Sequence, residues 1–206
     1  EEARRLGDRL AARIENGVRD ASTALDGTIR AACVEVDLPT RTLPPVAEAE
    51  AACHEARRRL DERRSRGTDR AAVRTAECDW FGAEETLTLA RAANDDRLDA
   101  AARSLLPATV QVIELAGQRF VGWPGEVFVE FALDVMARSP HTHIITLANS
   151  ELQGYLVTQQ AIDEKAYEAG NAIFASPIGG QRLVDATIEL LGRLHDGPSV
   201  ETEAAP

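Results

Sequence analysis

The sequence has no apolar run of the roughly 18–20 residues needed to cross a bilayer, so no membrane-spanning helix is expected. It also lacks an excess of positive charge. Against 34 Asp and Glu there are 23 Lys and Arg, which leaves a net charge of −11 and a pI near 4.9. A nucleic-acid backbone needs a basic face, so nucleic-acid binding is not expected. Arginines do cluster at Arg57, Arg58, Arg59, Arg63, Arg64 and Arg66, but Glu55, Asp61 and Glu62 interleave with them and the stretch reads as a solvated helix face. Cysteine is scarce: Cys33, Cys53 and Cys78 are the only three and show no metal-type spacing. An odd number without a framework points to reduced thiols and a cytoplasmic location. No secretory-signal pattern opens the chain; a secreted protein is the expectation only if a signal was removed with a preceding part. No Gly-rich phosphate loop, Cys-Cys cluster or Gly-x-Ser-x-Gly elbow occurs. Met136 is the single methionine, so Glu1 is expected to be a processed end or the first residue of a fragment.

What is present is enough for one good core: 206 residues, 44% hydrophobic and 28% charged. Residues 2–22 place Leu6, Leu10, Ile14 and Val18 on one helical face. Residues 29–38 alternate partly and predict a strand, ended by Pro39 and Pro44-Pro45. Pro45 suits the first turn of a helix in which Val46, Ala49, Cys53, Ala56 and Leu60 follow three-four spacing. Gly67 breaks that helix, and Thr68 or Asp69 can cap a second one. Its stripe is Val73, Ala76, Trp80, Ala83, Leu87 and Ala90. The expectation is a long αα-hairpin over 46–93, with Cys53 and Trp80 facing an alanine-rich seam. It is either a pair closed on itself and on the sheet or a partner-binding arm. A fully exposed Trp80 would favour the arm.

After a polar connector, strands over 110–115 and 119–123 form a hairpin about Ala116-Gly117. A helix over 127–138 carries Val127, Phe131 and Val135, and Ser139-Pro140 stops it. His143 to Leu147 is β-branched and short, which suits a buried strand. Gly179-Gly180 reads as a flexible turn before a last helix over 181–194, with Val184, Ile188 and Leu191 inward. Residues 197–206 have nothing to bury and predict a mobile tail. The fold class is α/β: a mixed sheet flanked by helices, with a long αα-hairpin.

The chemistry gathers between Phe120 and Glu168. Pro124 and Gly125 break an apolar run, and Glu126 follows where a helix must begin. In α/β sheets ligands sit at the carboxyl ends of strands beside helix N-termini. A carboxylate there also stabilises the helix by itself. Asn149 ends the next strand, so Glu126 and Asn149 are expected at one edge of the sheet. Residues 149–182 read as a long loop, which in a compact domain is usually functional, and Tyr155 and Tyr167 lie in it. Packing over the core or on a helix face is the plain alternative for both. His141 and His143 make a His-x-His pattern that on a strand would face one side. It stands at the start of the strand, the end opposite Asn149, and is read as structural.

Pro124-Gly125-Glu126, Ala148-Asn149, Gly154-Tyr155, Thr158 and Tyr167-Glu168, in that order and spacing, resemble the neutral/alkaline (non-lysosomal) ceramidase family over about the last hundred residues. The resemblance implies that residues 1–196 are the C-terminal half of a ceramidase-like catalytic domain. It implies that Glu126 and Tyr155 are zinc ligands. It implies that Tyr167, twelve residues beyond Tyr155, lies beside the metal and stabilises the reacting amide. Zinc more usually takes Cys, His, Asp or Glu, and a phenol of pKa near 10 binds as phenolate only beside a strong positive charge.

The implied activity is zinc-dependent hydrolysis of an N-acyl amide, lipid amides included, with ceramide as the type substrate. Members of the family are about twice this long, and their histidine ligands lie in the N-terminal half, which nothing here matches. An N-terminal half or a separate subunit is therefore expected to supply those ligands, and this chain alone is expected to be inactive. Glu151 stands where many members have a tyrosine, and the loop from Asn149 to Tyr155 is one residue longer, which leaves substrate choice open. Two other functions stay open: a non-catalytic ceramidase-like interaction subunit, and an amidase for a small polar N-acyl metabolite.

Overall fold

The computed structural model describes residues 1–21 and 29–196. The elements run α1 (Glu2–Asp20), β1 (Arg30–Val36), α2 (Val46–Ser65), α3 (Arg70–Asn94), α4 (Leu98–Ser104), β2 (Ala108–Leu115), β3 (Gln118–Gly122), β4 (Glu126–Val127), α5 (Val129–Arg138), β5 (Thr142–Ile145), β6 (Tyr155–Leu156), α6 (Gln159–Asp163), α7 (Tyr167–Gly170) and α8 (Pro177–Asp196). The expected mobile tail, 197–206, falls outside the described residues.

The fold is mixed α/β. The main sheet has the order β1-β2-β3-β5, antiparallel except for the parallel pair β3 and β5. Ala116 and Gly117 both take positive φ, 50° and 76°, as a two-residue hairpin turn between twisted strands requires. Along β2, Ala108, Val110, Val112 and Glu114 point to the buried face. That face packs on α5 and α8 through Phe131, Val135, Leu183, Val184 and Leu190. Trp123 is fully buried there, and its Nε1 donates to Thr187 Oγ1 at 2.9 Å. A buried indole needs such a partner for its N–H.

Among the described residues, no helix covers the other face of the sheet. Ile113 (41% exposed), Phe120 (36%) and Ile145 (51%) lie on it, and His143 stacks on Phe120. The strand expected to be buried at 143–147 is thus shorter and at the sheet edge, with only Thr142 buried. Leu147 and Asn149 turn the chain away through positive φ, 54° and 68°. The stripe of α1 is also exposed among the described residues: Leu6, Leu10, Ile14 and Val18 are 52–73% exposed.

The helices α2 and α3 form an antiparallel hairpin, since Arg64 pairs with Glu77 near the turn and Glu50 with Arg91 at the far end. The Asp69 carboxylate caps α3, accepting from the backbone N–H groups of Ala71 and Ala72. Ala49, Cys53, Ala56 and Leu60 are buried at the seam. Trp80 is half-buried, with the Arg57 guanidinium 4.6 Å from its ring centre, so it packs within the chain. In α3 the buried set widens to Gly82, which packs on α7, and to Leu89, which joins the main core.

Further expectations need correction, among them the long loop over 149–182, which contains β6, α6, α7 and the start of α8. Residues 126–127 form β4, and the helix starts at Val129 with Phe128 as its N-cap, so Glu126 does not stand at a helix N-terminus. Gly179 and Gly180 lie inside the first turn of α8, which Pro177 opens. They pack closely there: a Cβ on Gly180 would stand 2.3 Å from the Phe131 ring. Finally, the polar connector contains α4, which buries Leu98 and Ala102. No helix among the described residues is long and apolar enough to cross a membrane.

Candidate active site

Parallel β3 and β5 end at the same edge of the sheet, and the chain beyond them is tied together there. Ala148 N–H donates to Trp123 O at 3.0 Å, and Leu147 N–H donates to Gly125 O at 3.1 Å. Glu126 and Asn149 therefore leave the sheet at one edge. Gly125 has φ +77°, and a Cβ there would meet Leu152 at 3.0 Å.

Past this turn, β4 pairs in parallel with β6, and Glu126 is the register partner of Tyr155. The pairing extends to Phe128, whose N–H donates to Leu156 O at 3.0 Å. Gly154 makes it possible. Its φ is +77°, and a Cβ would fall 2.0 Å from Asn171 O. Tyr167 opens α7 on a third segment. Its hydroxyl lies 2.9 Å from that of Tyr155, with the rings edge-on at 5.8 Å. The Tyr167 backbone is pressed against α3, where a Cβ on Gly82 would meet Tyr167 O at 3.1 Å.

Glu126, Tyr155 and Tyr167 are thus brought together from three stretches of chain. Glu126 is exposed and both tyrosines are half-buried. The Tyr155 phenol is pushed above its ordinary range, first by the hydrogen bond to Tyr167, then by burial and by the nearby Glu126 carboxylate. Without a cation beside it, Tyr155 stays protonated. A nearby dication would reverse that balance.

The remaining matched residues do other things. The Asn149 amide donates to Gln111 on the bare face of the sheet and lies over Gly122. Thr158 caps α6 by accepting from Ala161 N–H at 3.2 Å. Glu168 is half-buried in α7, and Glu151 is exposed. His141 precedes β5 with φ +62°, and His143 Nε2 pairs with Gln118 at 3.0 Å, so the two do not share a strand face.

No family model, no curated protein and no solved structure matches this chain. Its site is read from its own geometry.

The donors present are oxygens. Among the described residues, no group of three or more His, Cys, Asp or Glu side chains is placed to hold a metal ion. A catalytic zinc takes three protein ligands and keeps one position open. Glu126 and Tyr155 fit a part of such a sphere and do not fill it.

Sequence reasoning missed Arg41. This residue follows β1 and sends its guanidinium to the far end of α7, donating from Nη1 to Ala169 O at 2.7 Å and from Nη2 to Gly170 O at 3.0 Å. No local pattern signals a contact made across 128 residues of sequence. A cleft of about 1010 Å³ opens beside it between the αα-hairpin and residues 162–178, lined in part by Arg41, Arg59, Asp79, Lys165 and Tyr167. Neither Glu126 nor Tyr155 lines this cleft, so Tyr167 is the site residue that faces it.

Proposed function

We propose that this chain supplies part of the active site of a ceramidase-like zinc amidohydrolase, with residues 1–196 as the C-terminal half of its catalytic domain. The reading rests on one observation: Glu126, Tyr155 and Tyr167 converge, with Glu126 and Tyr155 in register and the two hydroxyls 2.9 Å apart. The Glu126 carboxylate and the Tyr155 oxygen are the ligands. The other ligands, imidazoles, come from an N-terminal half or a separate subunit, and the substrate is an N-acyl amide. Bound zinc supplies a water of lowered pKa and polarises the amide carbonyl. The Tyr167 hydroxyl donates a hydrogen bond to the oxyanion of the tetrahedral intermediate. Being half-buried and fixed by its backbone, it needs little reorganisation to do so.

A second reading, a non-catalytic ceramidase-like interaction subunit, is favoured by the bare sheet face carrying Ile113, Phe120 and Ile145. Large contiguous apolar patches on a protein surface commonly mark partner sites. Zinc content and N-acyl amide hydrolysis of the intact assembly separate the two. An assembly that holds a partner yet neither binds zinc nor hydrolyses amides would establish the second reading and overturn the first.

A further inference from the structure

We infer that Arg41 is a positioning residue for Tyr167, acting through the C-terminal end of α7. The inference rests on the role proposed above for the Tyr167 hydroxyl. A four-residue helix has no stability of its own. The N-cap of α7, Ala166, makes no side-chain cap bond. What fixes α7 must therefore come from outside it.

The structure supplies two holds. At the start of α7, Gly82 brings α3 against the Tyr167 backbone, and Gly170 returns the contact, since a Cβ on Gly170 would lie 3.0 Å from Gly82 O. At the end of α7, Arg41 binds the carbonyls of Ala169 and Gly170, acceptors that a helix C-terminus leaves free. Arg41 Nη2 also donates to Thr86 Oγ1 at 2.9 Å, and that hydroxyl donates to Gly170 O at 2.9 Å. Arg41, Thr86 and the Gly170 carbonyl thus form a closed triangle between α7 and α3.

Arg41 is itself anchored, because its backbone N–H donates to Ile173 O at 2.8 Å. Burial lowers its pKa, with the Glu85 charge opposing, yet a guanidinium stays charged. Its planar fork reaches two carbonyls and a hydroxyl at once. An ammonium is a point charge on a flexible stem and cannot reproduce that geometry. With both ends of α7 held, the Tyr167 backbone is fixed, and from that position its hydroxyl reaches Tyr155 at 2.9 Å.

The chain has only two tyrosines, Tyr155 and Tyr167. Selective tyrosine-ring labelling of the full chain therefore gives two sets of signals, and the nuclear Overhauser effect between them reports their contact. We expect that effect in the wild type, its loss in Arg41→Met, its weakening in Thr86→Val and its partial return in Arg41→Lys. Methyl signals of Val121 and Leu183, both fully buried in the main core, report whether each variant is folded. An unchanged inter-ring effect in folded Arg41→Met overturns the inference. If that variant does not fold, an unchanged effect in Thr86→Val overturns it. In the complete assembly, Arg41→Lys should lower kcat by up to about 100-fold with KM little changed, as a displaced donor does. If the wild-type assembly neither binds zinc nor hydrolyses amides while Arg41→Met still loses the inter-ring effect, the amidase reading fails and the clamp stands.

Discussion

The hydroxyls of Tyr155 and Tyr167 lie 2.9 Å apart, and this contact joins the start of β6 to the start of α7. Removing one hydroxyl isolates its role. Tyr167→Phe keeps the ring, and with it the edge-on packing at 5.8 Å. In the complete assembly it should retain zinc and lower kcat by about 10²–10³-fold, the usual cost of losing one oxyanion donor. In the zinc-free chain the Tyr155 phenol should titrate lower than in the wild type, since its bond to Tyr167 is the first cause of its raised pKa. Unchanged turnover in this variant would remove Tyr167 from the chemistry.

Glu126→Ala should lose zinc and activity together. Loss of an outer-shell partner typically costs about 10–100-fold in metal affinity, and loss of a direct ligand should exceed that. Zinc per assembly, measured after dialysis, checks this. Glu126 is exposed, so the fold should survive and the loss should not trace to unfolding. Zinc content and hydrolysis both equal to the wild type would refute the zinc-amidase reading.

Gly154→Ala should damage the site and the fold at once. The added Cβ would fall 2.0 Å from Asn171 O on a residue with φ +77°. The conformational cost alone is about 1–3 kcal/mol, and overpacking against backbone adds a similar amount. For a chain of this size each kcal/mol lowers Tm by about 2–4 °C. Scanning calorimetry on the variant would test the estimate. A Tm within a degree or so of the wild type would mean that the β4–β6 pairing does not depend on this turn.

The long, periodic elements were legible. Alanines at heptad spacing, the break at Gly67 and the cap at Asp69 define the αα-hairpin, and Ala116-Gly117 defines the β2–β3 turn. The pairing of β4 with β6 was not, because two-residue strands carry no period. Glu126 therefore looked like a helix start, whereas the chain runs on through β4 and α5 begins only at Val129. The bare sheet face was hidden for another reason. In β2, Val112 and Ile113 are both apolar, and composition alone does not say that only Val112 is covered. Glu126, Tyr155 and Tyr167 were grouped by a family resemblance and by no local pattern of their own, and Arg41 owes its place to long-range packing alone.

Glu114 gives a pH test of the fold itself. It is a buried carboxylate on β2, with Arg30 and Arg119 as its register partners on β1 and β3. Arg30 Nη1 donates to it at 2.9 Å and Arg119 Nε at 3.0 Å. Burial alone would raise its pKa, but the bonds and charges of the two arginines outweigh burial and hold it below the usual carboxylate range. The folded-state pKa is therefore lower than the unfolded value of about 4.3. Over that window the unfolded chain binds more protons than the folded one. The stabilisation is fully present above the unfolded pKa and is lost as pH falls through the folded one.

In Glu114→Gln the titrating group is gone, and both arginines keep only a neutral acceptor. At pH 7 the variant should be less stable, by at most the roughly 3–5 kcal/mol that breaking a buried pair costs. Below about pH 4.3 the wild type should lose this advantage and the two Tm curves should converge. Thermal unfolding of both proteins between pH 7 and pH 3 measures the difference directly. Curves that stay parallel to the acid end would show that Glu114 has the same pKa folded and unfolded, and that the arginine pair does not hold the three strands through its charge.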